Sequence, residues 1–299
     1  MPEGPVAFEA RENLLSFEEI ERFVRIAVQL GITKIRLTGG EPLVRRDLPV
    51  LVEKIANIAG VRDLALTTNG VLLAQHAQSL YDAGLRRLNV HLDTLDPEKF
   101  LRITRRDELP RVLEGLRVAR QIGFSPIKIN VVAVKNLIEP DLVPVARFCR
   151  ANGFEPRFIE FMPLDSQQLW DKGRVLLADD IVRVLSDEIS PLVEVPPQDR
   201  RAPATEYRYA DGRGQIGLIA SVSRPFCLNC NRLRLTADGN LRYCLFAIEE
   251  TGVRALLRRG SDEEVAQSLR DTVAGKWLGH EINSSQFVPP PRPMYSIGG

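Results

Sequence analysis

A recurring alternation fixes what this chain can fold into. From Leu15 to about Phe161, short runs of Ile, Val and Leu alternate with longer segments of helical period. That alternation is the pattern of repeated βα units around a parallel sheet. The strand candidates are Lys34–Thr38, Leu64–Thr68, Arg87–Leu92, Ile127–Val132 and Arg157–Phe161. Between them, Ser16 opens a helix with Glu18 and Glu19 in its first turn, and Ile20, Phe23, Val24, Ala27 and Leu30 recur at spacings of three and four. Helices are likewise expected over Asp47–Ala59, Leu72–Ala83, Leu109–Ile122 and Asp141–Asn152, with Gly31, Gly84, Gly123 and Gly153 as stops. The implied fold is α/β, an incomplete parallel βα barrel over residues 1–164. After Pro163 the grammar dissolves into a mixed region, read as a smaller domain over 165–299.

Chemistry-bearing residues in such barrels gather where the strands end and the βα loops open. Thr38-Gly39-Gly40-Glu41-Pro42, Thr68-Asn69-Gly70, Asp93-Thr94 and Met162-Pro163 all lie there. A net charge of +1, from 40 basic and 39 acidic residues, argues against a general nucleic-acid binder. No run of about 18 apolar residues is present to span a membrane, and no leader is evident, which places the chain in the cytoplasm.

Four cysteines occur, Cys149, Cys227, Cys230 and Cys244. Cys149 shares an apolar helical face with Val145 and Phe148 and reads as packing. The other three can converge on one metal centre, either an iron-sulfur cluster or a zinc completed by a residue such as His280. Arg232 and Arg234 follow at alternate positions, so both forks of an extended segment point one way, as an anionic or purine-like ligand requires; a solvated surface strand is the other reading. Lys128, inside a barrel strand, leaves open a Schiff-base aldolase.

Taken as an ordered set, Thr38-Gly39-Gly40-Glu41-Pro42-Leu43, Thr67-Thr68-Asn69-Gly70, Asn89 to Leu95, Phe161-Met162-Pro163, the cysteine and arginine block, and the closing Ile297-Gly298-Gly299 resemble the GTP 3',8-cyclase family of molybdenum-cofactor biosynthesis, within the radical-SAM superfamily. The resemblance runs the whole length. It implies a partial barrel that binds S-adenosylmethionine (SAM) and a C-terminal domain with a 4Fe-4S cluster on Cys227, Cys230 and Cys244. By the same resemblance, Arg36, Thr67, Lys128, Arg232, Leu233 and Arg234 contact GTP, Gly40, His91 and Met162 contact SAM, and Gly298 and Gly299 form a tail reaching into the cavity. His91 is a departure, because the family commonly has serine there.

The reaction implied is conversion of GTP to 3',8-cyclo-7,8-dihydro-GTP. It also implies an electron donor, a homodimer and hand-over to cyclic pyranopterin monophosphate synthase. Family members open with a first strand and a CxxxCxxC loop for the SAM-cleaving 4Fe-4S cluster, and neither is present before Cys149. Met1-Pro2-Glu3-Gly4 is similar to the text after those cysteines, so the expectation is a start at an internal methionine of a longer protein. The alternative is a shortened, non-catalytic GTP- or zinc-binding relative.

Overall fold

The computed structural model describes residues 9–164, 170–197, 199–285 and 287–297. Helix α1 (Phe17–Gln29) begins at Ser16, whose hydroxyl accepts from Glu19 N while the Glu19 carboxylate accepts from Ser16 N. It leads into β1 (Lys34–Leu37), α2 (Leu48–Ala56), β2 (Asp63–Thr68), α3 (Leu73–Asp82) and β3 (Arg87–His91). Then follow α4 (Pro97–Thr104), α5 (Leu109–Ile122), β4 (Ile127–Ala133), α6 (Leu142–Asn152) and β5 (Glu155–Glu160). All five expected strands form and pair in parallel, in chain order. Helix α4 was not anticipated; the Asp96 carboxylate caps it, accepting from Glu98 N and Lys99 N.

The sheet continues past Phe161. Helix α7 (Ala178–Glu188) is followed by β6 (Leu192–Val195), β7 (Thr205–Tyr209) and β8 (Gln215–Ile219). Strand β8 pairs in parallel with β5, and β7 and β6 add on antiparallel, giving the order β1-β2-β3-β4-β5-β8-β7-β6. The main core follows it: Leu66, Leu88, Ile129 and Phe158 share one buried cluster with Ile181, Leu185, Ile216 and Leu218, on both sides of residue 164.

Past β8 lie β9 (Arg234–Leu235), β10 (Asn240–Arg242) and β11 (Thr251–Gly252), a small antiparallel sheet, then α8 (Arg254–Arg259), α9 (Asp262–Ala274) and α10 (Met294–Ile297). This part closes against α1 through a second core of Leu15, Phe23, Ile26 and Ala27 with Val253, Leu257, Val265 and Leu269. Cys149 is fully buried on α6 within the main core, as its apolar face implied.

Candidate active site

Strand register decides which side chains meet, because residues paired across neighbouring strands share a face. Arg36 aligns with Ala65 and Arg87; Thr67 with Asn89, Lys128 and Glu155; His91 with Asn130, Arg157 and Gly217. One face of the sheet is therefore lined with charge and amide. The intervening residues, Leu66, Leu88, Ile129, Phe158 and Leu218, are buried on the other face in the helix-covered core. A barrel filled by apolar side chains would show the reverse.

On the polar face Lys128 Nζ lies 2.9 Å from Glu155 and 3.8 Å from Glu206. A Schiff base would need that nitrogen free of both carboxylates. Glu160, a candidate partner for Arg36 and Lys128 from sequence, points elsewhere: fully buried, it accepts from Ala178 N, Val222 N and Ser223 N, tying the approach to the cysteine segment onto β5. Arg87 pairs with Asp63. Arg36, Arg157 and Arg234 have no hydrogen-bond or ion-pair partner among the described residues.

Arg36 is open to solvent yet surrounded by protein, and burial lowers its pKa, followed by the neighbouring Arg232 and Arg87. Burial, then Arg36 among its neighbours, brings Arg157 to about 10. Burial, then Arg232, with Arg36 also contributing, brings Arg234 to about 10. Cations from three strands of the main sheet and from β9 thus crowd one space. Gly217 makes room in it, since a Cβ there would stand 3.2 Å from Arg157 Cγ.

At the strand ends, Glu41 clips two βα loops together: its carboxylate accepts from Leu43 N at 3.0 Å, Thr68 Oγ1 at 2.7 Å and Asn69 N at 2.7 Å. The clip holds the turn that exposes Gly40. His91 Nε2 lies 2.9 Å from Asp93, whose other oxygen accepts from Val132 N; the Asp93 charge outweighs desolvation and raises the His91 pKa. Met162 packs against Leu164, Leu245 and Phe246, beside Cys244.

Cys227, Cys230 and Cys244 line one cavity together with Arg232, Arg234 and His280. Arg232 Nε lies 3.3 Å from Cys230 Sγ and Lys276 Nζ 3.4 Å; Lys276 also donates to Arg232 O at 2.9 Å. Burial alone would raise the Cys230 thiol, but Arg232 and Lys276 bring it down to about 7. Desolvation raises Cys227. Among the described residues, no three Cys, His, Asp or Glu side chains stand as a ready set around one metal ion. Leu233 points away into the second core. Gly298 and Gly299 lie outside the described residues.

Sequence reasoning did not single out Arg87, Arg157, Asp93 or Lys276. The first three lie in or beside recognised strands, where alternation with their apolar neighbours is the one available signal.

A parallel βα sheet with a charged inner face and residues 5–149 matching the Radical SAM superfamily model define an α/β radical-SAM protein with an incomplete barrel. Its fold is similar to the crystal structure of Streptococcus suis SuiB, with a TM-score of 0.58 over 86% of this chain and 62% of that one at 15% identity. Residues 154–282 match Molybdenum Cofactor Synthesis C. The GTP 3',8-cyclase of Rhodopirellula baltica is 46% identical over all of this chain and 84% of its own length, and that of Rhodococcus opacus is 43% identical over all of this chain and 85% of its own. The chain belongs to the GTP 3',8-cyclase family.

Proposed function

We propose that this chain binds GTP and SAM as a GTP 3',8-cyclase of molybdenum-cofactor biosynthesis, the route to 3',8-cyclo-7,8-dihydro-GTP. The observation that carries the reading is the meeting of Arg36, Arg157 and Lys128 from the sheet with Arg232 and Arg234 from the cysteine segment, beside a cavity of three thiols. Guanidinium forks suit a polyphosphate, which is held by several charge-assisted hydrogen bonds at once.

In this reading Arg36, Lys128 and Arg157 take the triphosphate, Thr67 lines the nucleotide, and Arg232, Leu233 and Arg234 form the segment beside the purine. Gly40, His91 and Met162 receive SAM, and Gly298 and Gly299 supply the tail. Cys227, Cys230 and Cys244 fit a 4Fe-4S cluster by donor chemistry: three thiols share one cavity, two cations steady Cys230, and a cubane takes each thiolate on a different iron. When bound, the cluster supplies an iron without a protein ligand, a Lewis acid for the purine. The protein's own work is positioning: fixing GTP in one orientation and excluding solvent from the sugar.

The four cysteines leave no second triad for the SAM-cleaving cluster, so these 299 residues account for binding and positioning and not for making the radical. No helix among the described residues is long and apolar enough to cross a membrane. A cytoplasmic homodimer, served by an electron donor and followed by cyclic pyranopterin monophosphate synthase, completes the proposal, with 1–164 as the SAM part and 165–299 as the cluster and GTP part.

Anaerobic reconstitution tests the cluster. About four irons with matching sulfide per chain are expected, and loss of them in the variant with all three cysteines replaced by alanine. Stoichiometric zinc without sulfide would overturn the assignment in favour of a zinc- or GTP-binding protein without turnover. GTP calorimetry on Arg157→Ala and Arg234→Ala tests the nucleotide site: affinity should fall at least about tenfold in each, the loss of one charged hydrogen-bonding group.

A further inference from the structure

The chain's last described segment, Phe287 to Ile297, crosses back over the cysteine-bearing part. Its apolar contacts are modest: Phe287 meets the Phe246 ring edge-on at 5.7 Å, and Ile297 is buried with Leu164, Leu245 and Ile282. Met294 N donates to Leu164 O at 3.2 Å. The specific fastening is ionic. Arg292 forks onto Asp238, Nη1 to Oδ1 at 3.1 Å and Nη2 to Oδ2 at 2.6 Å, while its Nε lies 3.3 Å from Glu250 Oε1.

That same Glu250 oxygen pairs with Arg242, whose side chain has no exposed surface at all. Arg242 Nη2 in turn donates to Leu245 O at 3.1 Å and Ala247 O at 2.6 Å, the carbonyls just after Cys244. One carboxylate thus joins two guanidiniums, one fastening the C-terminal strap and one setting the Cys244 loop. Asp238 and Glu250 are both mostly covered, so these pairs are poorly screened. A buried arginine stripped of its one carboxylate is costly, which makes Glu250 the shared dependency of both segments.

We infer that Arg292, Glu250 and Arg242 form a latch in which Arg292 positions the C-terminal strap against the cysteine-bearing domain and Glu250 couples that position to the Cys244 loop. Arg292 and Glu250 are positioning residues: neither lines the thiol cavity. The latch ranks above the exposed Leu228 and Leu278 near that cavity because nothing shows what covers them. Its relevance to turnover rests on the function proposed above; its existence does not.

Hydrogen exchange of the full reconstituted chain, read by mass spectrometry, tests it. In Arg292→Ala the strap amides of 287–297 should exchange at least about tenfold faster while those of 243–247 keep their protection; in Glu250→Gln both segments should loosen. Glu250→Gln should also shift the electron paramagnetic resonance g values of the reduced C-terminal cluster, and Arg292→Ala should leave them unchanged. Arg292→Lys, which retains the charge without the fork, should fall between wild type and Arg292→Ala. Unchanged strap exchange in Arg292→Ala, or a Glu250→Gln variant that loosens the strap alone, overturns the coupling. If Arg292→Ala loosens the central strands too, Arg292→Lys decides, and it must loosen the strap alone for the latch to stand. Should the wild type take up zinc or bind no GTP, the function proposed above fails while the exchange readings still judge the latch.

Discussion

His91 and Asp93 show how a single side chain changes the terms of a site. Asp93 draws the imidazole toward its charged form, so the folded pKa exceeds the unfolded value of 6.5. The stabilisation from this pair is complete below that value and is lost as pH rises through the folded pKa. The stability gap between wild type and His91→Gln, from urea titrations at several pH values, should therefore be widest near pH 6 and close toward pH 9. Glu41 makes a different kind of contribution. It satisfies three donors from two loops, so Glu41→Ala should cost about 2–4 kcal/mol in chemical unfolding, and Glu41→Gln less. The sequence displayed Glu41 within its motif but not the clip, since Thr68 and Asn69 reach it only through the pairing of β1 with β2. Arg157 and Arg87 were overlooked for the same reason: strand alternation separates two faces without saying which one becomes the cavity.

Among the elements, the hairpin between β9 and β10 carries the two arginines of the cysteine segment and depends on one glycine. Gly239 has φ +83, and a Cβ there would lie 2.7 Å from Arg254 Cβ. Both the left-handed conformation and the contact resist a side chain. Gly239→Ala should lower stability by about 1–3 kcal/mol and, by disturbing β9, weaken GTP binding; calorimetry and thermal unfolding read the two separately. The first five strands were legible because each βα unit repeats the same period and ends on a glycine, as at Gly123 (φ 108) and Gly153 (φ 71). Strand β8 was not. The antiparallel β6–β7 ribbon precedes it, Gly212 and Gly214 read as loop, and parallel pairing with β5 is set by tertiary contacts that leave no local period.

For the whole molecule, α1 is the seam. It belongs to the βα alternation by sequence, yet Phe23, Ile26 and Ala27 pack against the C-terminal helices, and Arg22 reaches Leu257 O at 2.8 Å and Gly260 O at 2.8 Å. Phe23→Ala should remove about 3–5 kcal/mol, and because that core joins the two parts, calorimetry should show the single transition broaden or split.

The arginines on the inner face bear on how this protein can be improved. Arg157 and Arg234 have pKa values near 10, below the ordinary 12.5, which means the folded state holds their protons less firmly than the unfolded chain does. By linkage, their charges at neutral pH oppose folding. Replacing Arg157 with leucine, of lower polarity and close to the same reach along Gly217, should raise the melting temperature while weakening affinity for polyphosphate. A selection for thermal stability alone would tend to erase these residues first, so robustness and ligand capture pull this protein in opposite directions.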